Sequence, residues 1–170
     1  MTELPVLKSP RCVLNRITED DIPVMRQIFD DELTGRYLSE LWPLVETEEG
    51  IRQMLSSFNT FMEQSKGMIW GVRLNGNLIA FVAFMDLSCN PTIIYAMHST
   101  YRSKGYMKEC VEVSVQYVLD FGLCRYVRTE VHNGNVASIR LLQSIGFDVA
   151  GKDKRKTYLR IDRKKRTMLS

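Results

Sequence analysis

The chain has 170 residues, with 23 Lys and Arg against 20 Asp and Glu, a net charge of +3, and 45% hydrophobic residues. That balance suits a single domain with one sizeable core. It has neither an apolar run of about 20 residues that could span a membrane nor a basic leader before an apolar block, so a cytoplasmic protein is expected. The cysteines Cys12, Cys89, Cys110 and Cys124 show no C-x-x-C spacing and read as reduced thiols rather than a disulfide framework. With so few histidines and no paired cysteines, no metal site is expected.

Arg11 to Ile17 reads as an edge-like strand. A helix start follows at Thr18, with Asp21 three residues on and acidic residues in the first turn. Ile22, Val24, Met25 and Ile28 give it an apolar stripe down to Phe29. The stretch with Gly35, Leu38, Leu41, Trp42 and Pro43 reads as a loop. A second helix is capped near Thr47 and carries Ile51, Met54, Leu55, Phe58, Phe61 and Met62. Two β runs, Met68 to Leu74 and Leu78 to Met85, flank Asn75-Gly76-Asn77, a strong hairpin signal. A third strand spans Thr92 to about His98. The next helix ends at Gly122, expected as a left-handed cap. Arg125 to Val131 alternates as a strand, Asn135 can cap the last helix, and that helix stops at Gly146. Phe147 to Ala150 and Lys156 to Ile161 close the chain as an antiparallel pair. The reading is one α/β domain over residues 1–170, in the order β-α-α-β-β-β-α-β-α-β-β.

The densest chemical signal is Tyr101-Arg102-Ser103-Lys104-Gly105-Tyr106-Met107-Lys108-Glu109, a basic glycine turn between a strand and a helix. The first N–H groups of a helix lack internal partners and carry partial positive charge, so this order can hold an anion such as a pyrophosphate. A solvated loop with two surface cations is the plainer reading of the same residues. Further on comes Asn133-Gly134-Asn135-Val136-Ala137-Ser138-Ile139-Arg140-Leu141-Leu142-Gln143-Ser144-Ile145-Gly146-Phe147.

Together the two segments resemble the GNAT superfamily of acetyl-CoA-dependent N-acetyltransferases. The first is similar to its R/Q-x-x-G-x-G/A pyrophosphate loop. The second is similar to the N-x-x-S-x-x-x-L-x-x-x-G-F helix of the branch that acetylates ribosomal-protein N-termini. The resemblance runs from about Arg11 to about Arg163. It implies a GNAT-like domain with a mixed sheet of about seven strands flanked by about four helices.

The resemblance also implies a site. The backbone from Lys104 through Gly105, Tyr106 and Met107 to Lys108 would surround the pyrophosphate, with Arg102 nearby. The strand before the loop and the one after it would splay apart to admit pantetheine. Met97 and His98 would bond pantetheine, one backbone N–H there would meet the oxyanion, and Asn135 would bond the pantetheine amide. Ser138 would lie near the thioester sulfur as proton donor. Two positions depart from the family: Leu142 stands where many members carry a tyrosine acid, and Met107 where Gly or Ala is more common. The donor is then Ser138, water or Tyr158. Glu130 and His98, at strand ends near the splay, are the candidate bases. Phe58 and Phe61 read as core, and Trp42 as a border of the acceptor site.

The function implied is an acetyl-CoA-dependent N-acetyltransferase in which a primary amine, from a protein N-terminus or a small molecule, attacks the thioester directly in a ternary complex. The alternative is a catalytically degenerate GNAT-like module that binds CoA or a protein partner. Lys152, Lys154, Arg155, Lys156, Arg160, Arg163, Lys164, Lys165 and Arg166 crowd the C-terminus. They suit an acidic partner or simply a solvated hairpin with a basic tail from about 163 to 170. No nucleic-acid module is recognisable, so nucleic acid is not an expected partner. Monomer and homodimer both remain open.

Overall fold

The computed structural model describes residues 3–122 and 124–163. The cations Lys164, Lys165 and Arg166 lie outside them. The elements in chain order are β1 (Leu7–Lys8), β2 (Val13–Asn15), α1 (Ile22–Phe29), α2 (Glu32–Leu41), α3 (Glu48–Glu63), β3 (Gly67–Leu74), β4 (Asn77–Met85), β5 (Thr92–Met97), α4 (Tyr106–Phe121), β6 (Tyr126–His132), α5 (Val136–Ser144), β7 (Asp148–Lys152) and β8 (Lys156–Asp162). Short 3-10 turns over Glu19–Asp21 and Ser99–Tyr101 precede α1 and α4.

The strands form one sheet in the order β1-β2-β3-β4-β5-β6-β8-β7. Every adjacent pair is antiparallel except β5 and β6. Alternation sends successive side chains to opposite faces. On one face Trp70, Phe84, Ile93 and Met97 pack under α4 and α5 with Cys110, Val111 and Leu142. On the other, Phe81, Ile94 and Ala96 pack against α1 and α3 through Met25, Ile28, Ile51 and Phe58. The β3–β4 hairpin turns at Asn75 and Gly76 with φ of 50° and 84°, as a tight two-residue turn requires.

The expected order of elements holds, and two elements are added. β1 pairs with β2, so the strand expected at the sheet edge lies inside it, between β1 and β3. The stretch read as a loop around Gly35 is α2. Asp31 opens it, its carboxylate accepting the Thr34 N–H at 3.2 Å and the Thr34 hydroxyl at 3.1 Å. Gly35, which reads as a breaker, is needed there: a Cβ would lie 2.7 Å from the Phe29 carbonyl oxygen at the end of α1. Gly122 is no left-handed cap, since its φ of −83° and ψ of 164° are extended. The caps at Thr47 and Asn135 form as expected, accepting the N–H of Gly50 at 3.0 Å and of Ser138 at 3.3 Å.

A guanidinium ties the first strands to the first helix. Arg73 on β3 grips Asp21 with two bonds, of 2.9 and 2.7 Å, and reaches Asn15 Oδ1 at 2.7 Å and the Arg16 carbonyl at 3.0 Å. Burial alone would raise the Asp21 carboxyl, but the bonds from Arg73 and Thr18 hold it below its ordinary value. Its stabilising contribution is therefore complete above the unfolded pKa and is lost as pH falls through the lower folded value. Replacing Arg73 leaves a largely buried carboxylate without its main partner. Arg73→Met is expected to cost about 3 kcal/mol in urea unfolding at neutral pH, with the loss shrinking in acid. Equal loss at both pH values would show that the ion pair is not the cause.

Candidate functional site

The basic glycine turn forms the expected strand–loop–helix junction. Ser103 and Gly105 take φ of 62° and 82°, and Gly105 caps α4. A side chain is strained at such a φ, so glycine is the natural occupant of this corner. The Glu109 N–H is bonded to the Gly105 carbonyl at 3.3 Å, which begins the helical ladder. The N–H groups of Tyr106, Met107 and Lys108 come before that first bond and have no intrahelical acceptor. The helix dipole adds partial positive charge at the same end. The Met107 side chain goes down into the core, 8% exposed, rather than out of the loop.

Arg11, which the sequence reading passed over, braces this loop from behind. Its Nη2 donates to the Lys104 carbonyl at 2.9 Å, its Nε to Glu109 Oε2 at 3.0 Å, and its guanidinium lies over the Tyr106 ring at 4.3 Å. Burial would raise the Glu109 carboxyl, but bonds from Ser9 and Arg11 bring it below its usual value.

β5 and β6 are paired through Thr92 and Arg128 alone and then diverge. The His98 N–H is bonded to Ile79 on β4 at 2.9 Å, while the Ile93 carbonyl accepts the Thr129 hydroxyl from β6 at 2.9 Å. Alternation along the strand therefore turns the backbone groups of Ile93, Tyr95 and Met97 toward the gap, and those of His98 away from it. Arg102 closes one lip, donating to the Met97 carbonyl at 3.3 Å and to Asp31 at 2.9 Å.

Two cavities meet in the gap. The larger, about 560 Å³, is bordered by Met97, Arg102, Gly105, Tyr106, Met107 and Lys108, and reaches α5. The smaller, about 70 Å³, opens on the other side between α2 and β6, beside Leu38, Glu130 and His132. Thr34, Tyr95, Asn135 and Ser138 line both.

Ser138 does not stand alone there. Its hydroxyl lies 2.5 Å from the Tyr95 hydroxyl. Burial pushes the Tyr95 phenol up to about 12, although the bond to Ser138 pulls the other way. Tyr95 sits in a run read only as an apolar strand, and its contact 43 residues away left no sequence signal. Leu142 is fully buried in the core.

The two candidate bases are placed differently. Glu130 borders the smaller cavity, and its carboxylate meets Lys156 Nζ at 3.3 Å; the same ammonium reaches Glu40 of α2 at 3.3 Å. Burial would lower the Lys156 pKa, but the two carboxylates raise it, so this lysine stays charged. The His98 ring accepts the Thr100 N–H on Nδ1 at 3.2 Å and pairs with Gln27 through Nε2 at 3.1 Å, on the α1 side of the sheet. Tyr158 donates its hydroxyl to Asp153 at 2.7 Å, in the β7–β8 turn. Trp42 packs on Phe58, with ring centroids 5.4 Å apart, and so joins the core cluster at α3. Among the described residues no cluster of His, Cys, Asp or Glu could hold a metal ion, and no helix is long and apolar enough to cross a membrane.

Comparison with known proteins agrees with this geometry. A family model described as an acetyltransferase (GNAT) domain matches residues 11–148. An uncharacterised N-acetyltransferase of Bacillus subtilis, YoaA, is 28% identical over 156 residues, covering 86% of this chain and 85% of its own. The crystal structure of a GNAT-family acetyltransferase from Bacillus anthracis superposes with a TM-score of 0.78 at 18% identity, covering 94% of this chain and 99% of that one. RimL, a ribosomal alpha-N-protein acetyltransferase solved with coenzyme A, gives a TM-score of 0.77 at 13% identity, over 93% and 98% of the two chains.

The brace behind the loop can be tested without any ligand. Arg11→Ala frees the Lys104 carbonyl and leaves Glu109 with the Ser9 hydroxyl and the backbone N–H of residue 11. Hydrogen exchange at the amides of Tyr106 to Glu109 should quicken, while global stability falls by only about 1 kcal/mol because the guanidinium is half exposed. Unchanged exchange in that segment would show that the loop holds its shape unaided.

Proposed function

Because the chain belongs to the GNAT acetyltransferase family, we propose that it moves the acetyl group of acetyl-CoA to a primary amine by direct attack in a ternary complex. The observation that carries this reading is the junction of the two cavities at Tyr95, Asn135 and Ser138. One arm is long, ends at unbonded helix amides and suits a phosphorylated carrier. The other is short, bears a carboxylate and suits an amino group.

The residues fit the carrier. The amides of Tyr106, Met107 and Lys108, with the Lys108 side chain, would take the pyrophosphate. The inward backbone of Tyr95, with the second lone pair of the Met97 carbonyl that Arg102 holds, would pair with pantetheine. Of the two residues the resemblance suggests for that pairing, Met97 has the backbone turned to the gap, whereas His98 gives its N–H to Ile79. Asn135 spends its carboxamide oxygen on the helix cap and can offer its amide nitrogen to a pantetheine carbonyl. Arg102 acts from the lip of the gap rather than from the phosphate side.

In the transfer step the amine nitrogen bonds to the thioester carbon, and the Met97 N–H meets the oxyanion. Glu130, directly or through water, takes the proton that the nitrogen sheds. The carbon–sulfur bond then breaks, with the Ser138 hydroxyl bonded to the departing sulfur. Glu130 passes the proton on through water to the thiolate, which regenerates the carboxylate and gives amide and free CoA. Glu130 is preferred to His98 as base because it borders the smaller cavity. The acceptor is a protein N-terminus or a small-molecule amine. Resemblance to the ribosomal-protein branch, and likeness in fold to RimL, favour the protein N-terminus. A cytoplasmic location goes with this reading, which the free cysteines suit.

Calorimetric titration of acetyl-CoA tests the carrier arm first. Micromolar binding is expected, lost in Gly105→Glu and weakened about tenfold in Asn135→Ala. A free-thiol assay with peptides bearing free N-terminal alanine or serine, and with spermidine, then tests transfer. Absence of binding at millimolar acetyl-CoA would sink the reading. Binding without transfer to any amine would leave a carrier-binding module.

A further inference from the structure

We propose that Tyr95 is a positioning residue for transfer, its hydroxyl holding the Ser138 hydroxyl in line with the departing sulfur. This rests on the acetyltransferase reading and assigns a task to a half-buried hydroxyl that the reading leaves idle. The direction of the bond follows from acidity. A phenol is a far stronger acid than a serine hydroxyl, so Tyr95 donates and Ser138 accepts. A hydroxyl that accepts from one side has its own hydrogen directed elsewhere, and the open side of Ser138 is the cavity junction.

Three features make this more than a packing contact. Burial keeps the Tyr95 phenol protonated across the whole working pH range, so the donor is always present. The Ser138 N–H is fixed by Asn135, so the residue is held at both its backbone and its side chain. A serine early in a helix otherwise turns freely between solvent and nearby backbone carbonyls. Tyr95 also comes from β5, the strand whose backbone lines the gap, so one element would set both the carrier and its hydrogen-bond donor.

The bond pattern in transfer is unchanged by this role. Tyr95 and Ser138 both keep their protons. The Ser138 hydroxyl hydrogen-bonds the thiolate as the carbon–sulfur bond breaks, and the amine's proton reaches that sulfur from Glu130 through water. A better aligned donor lowers the barrier to sulfur departure without altering how the carrier binds.

The test is a double-mutant cycle in the full chain. Tyr95→Phe should lower kcat about tenfold and Ser138→Ala about a hundredfold, with the acetyl-CoA Kd changed less than about twofold in each. The probe is transfer from acetyl-CoA to whichever of the alanine peptide, the serine peptide or spermidine turns over. Tyr95→Phe/Ser138→Ala should fall no further than Ser138→Ala alone, because Tyr95 acts only through Ser138. Independent, multiplicative losses would overturn the proposal, as would an inert Ser138→Ala or an unaffected Tyr95→Phe. Proton NMR gives a readout that needs no turnover. A slowly exchanging downfield hydroxyl resonance should be present in the native protein and missing from both single variants, and its absence from the native protein would overturn the pairing. Failure of the native protein to bind acetyl-CoA would instead strike the acetyltransferase reading itself, and binding without turnover of any amine would strike both.

Discussion

A broken strand pairing governs this site. Among the described residues β5 and β6 are the only adjacent parallel strands in the sheet, and their ladder stops after Thr92 and Arg128. Peptide groups facing such a gap must find other partners, because unbonded buried backbone is costly. Two side chains supply them here. The Thr129 hydroxyl takes the Ile93 carbonyl, and Arg102 takes the Met97 carbonyl. Each stands in for a ladder bond without drawing the strands together. Arg102 does more, because its second contact is Asp31, the cap of α2. The lip of the gap, the start of α2 and the loop before α4 are thus held by one guanidinium.

The gap is electrically polar. At the α4 end stand unbonded amides, the helix dipole and Lys108, with Arg11 behind the loop. At the other mouth stands Glu130, with Glu40 behind it across Lys156. An anion is drawn to the first and an ammonium to the second. Lys156, charged between those carboxylates, tempers the negative mouth and links α2 to β6 and β8. An arriving ammonium would compete with it for Glu130. On the acetyltransferase reading, an amine that displaces Lys156 from Glu130 brings its nitrogen beside the carboxylate assigned to take its proton.

Legibility in the sequence followed the range of the interactions. Periodicity, the Asn75–Gly76 turn and the caps at Thr47 and Asn135 are local, and they placed nearly every element. The glycine turn at Gly105 was legible for the same reason: its strand, corner and helix are contiguous. α2 was missed because Gly35 and Pro43 carry breaker signals, whereas the need for Gly35 comes from the end of α1. β1 was missed because two residues show no periodicity. Within the site, Asn135 and Ser138 share a motif and were found, while Tyr95, Arg11 and Asp31 act across 43, 93 and 71 residues. No spacing rule reaches so far. His98 and Glu130 could not be ranked from sequence, since strand-end positions look alike until the sheet shows which face each side chain takes.

The size of the smaller arm bears on what the protein selects. A volume of about 70 Å³ has room for a few waters or an amino group with its nearest carbons, far below the several hundred Å³ of a typical ligand pocket. On the acetyltransferase reading, the body of any acceptor must therefore remain outside the gap. Wedge residues such as Tyr95 and Ser138 would then act on every amine alike, contributing to rate rather than to choice. On that reading discrimination would fall to groups beyond the cavity, of which the charged set behind Glu130 is one: Lys156 joins Glu130 to Glu40 on α2, and Arg155 faces the same Glu40.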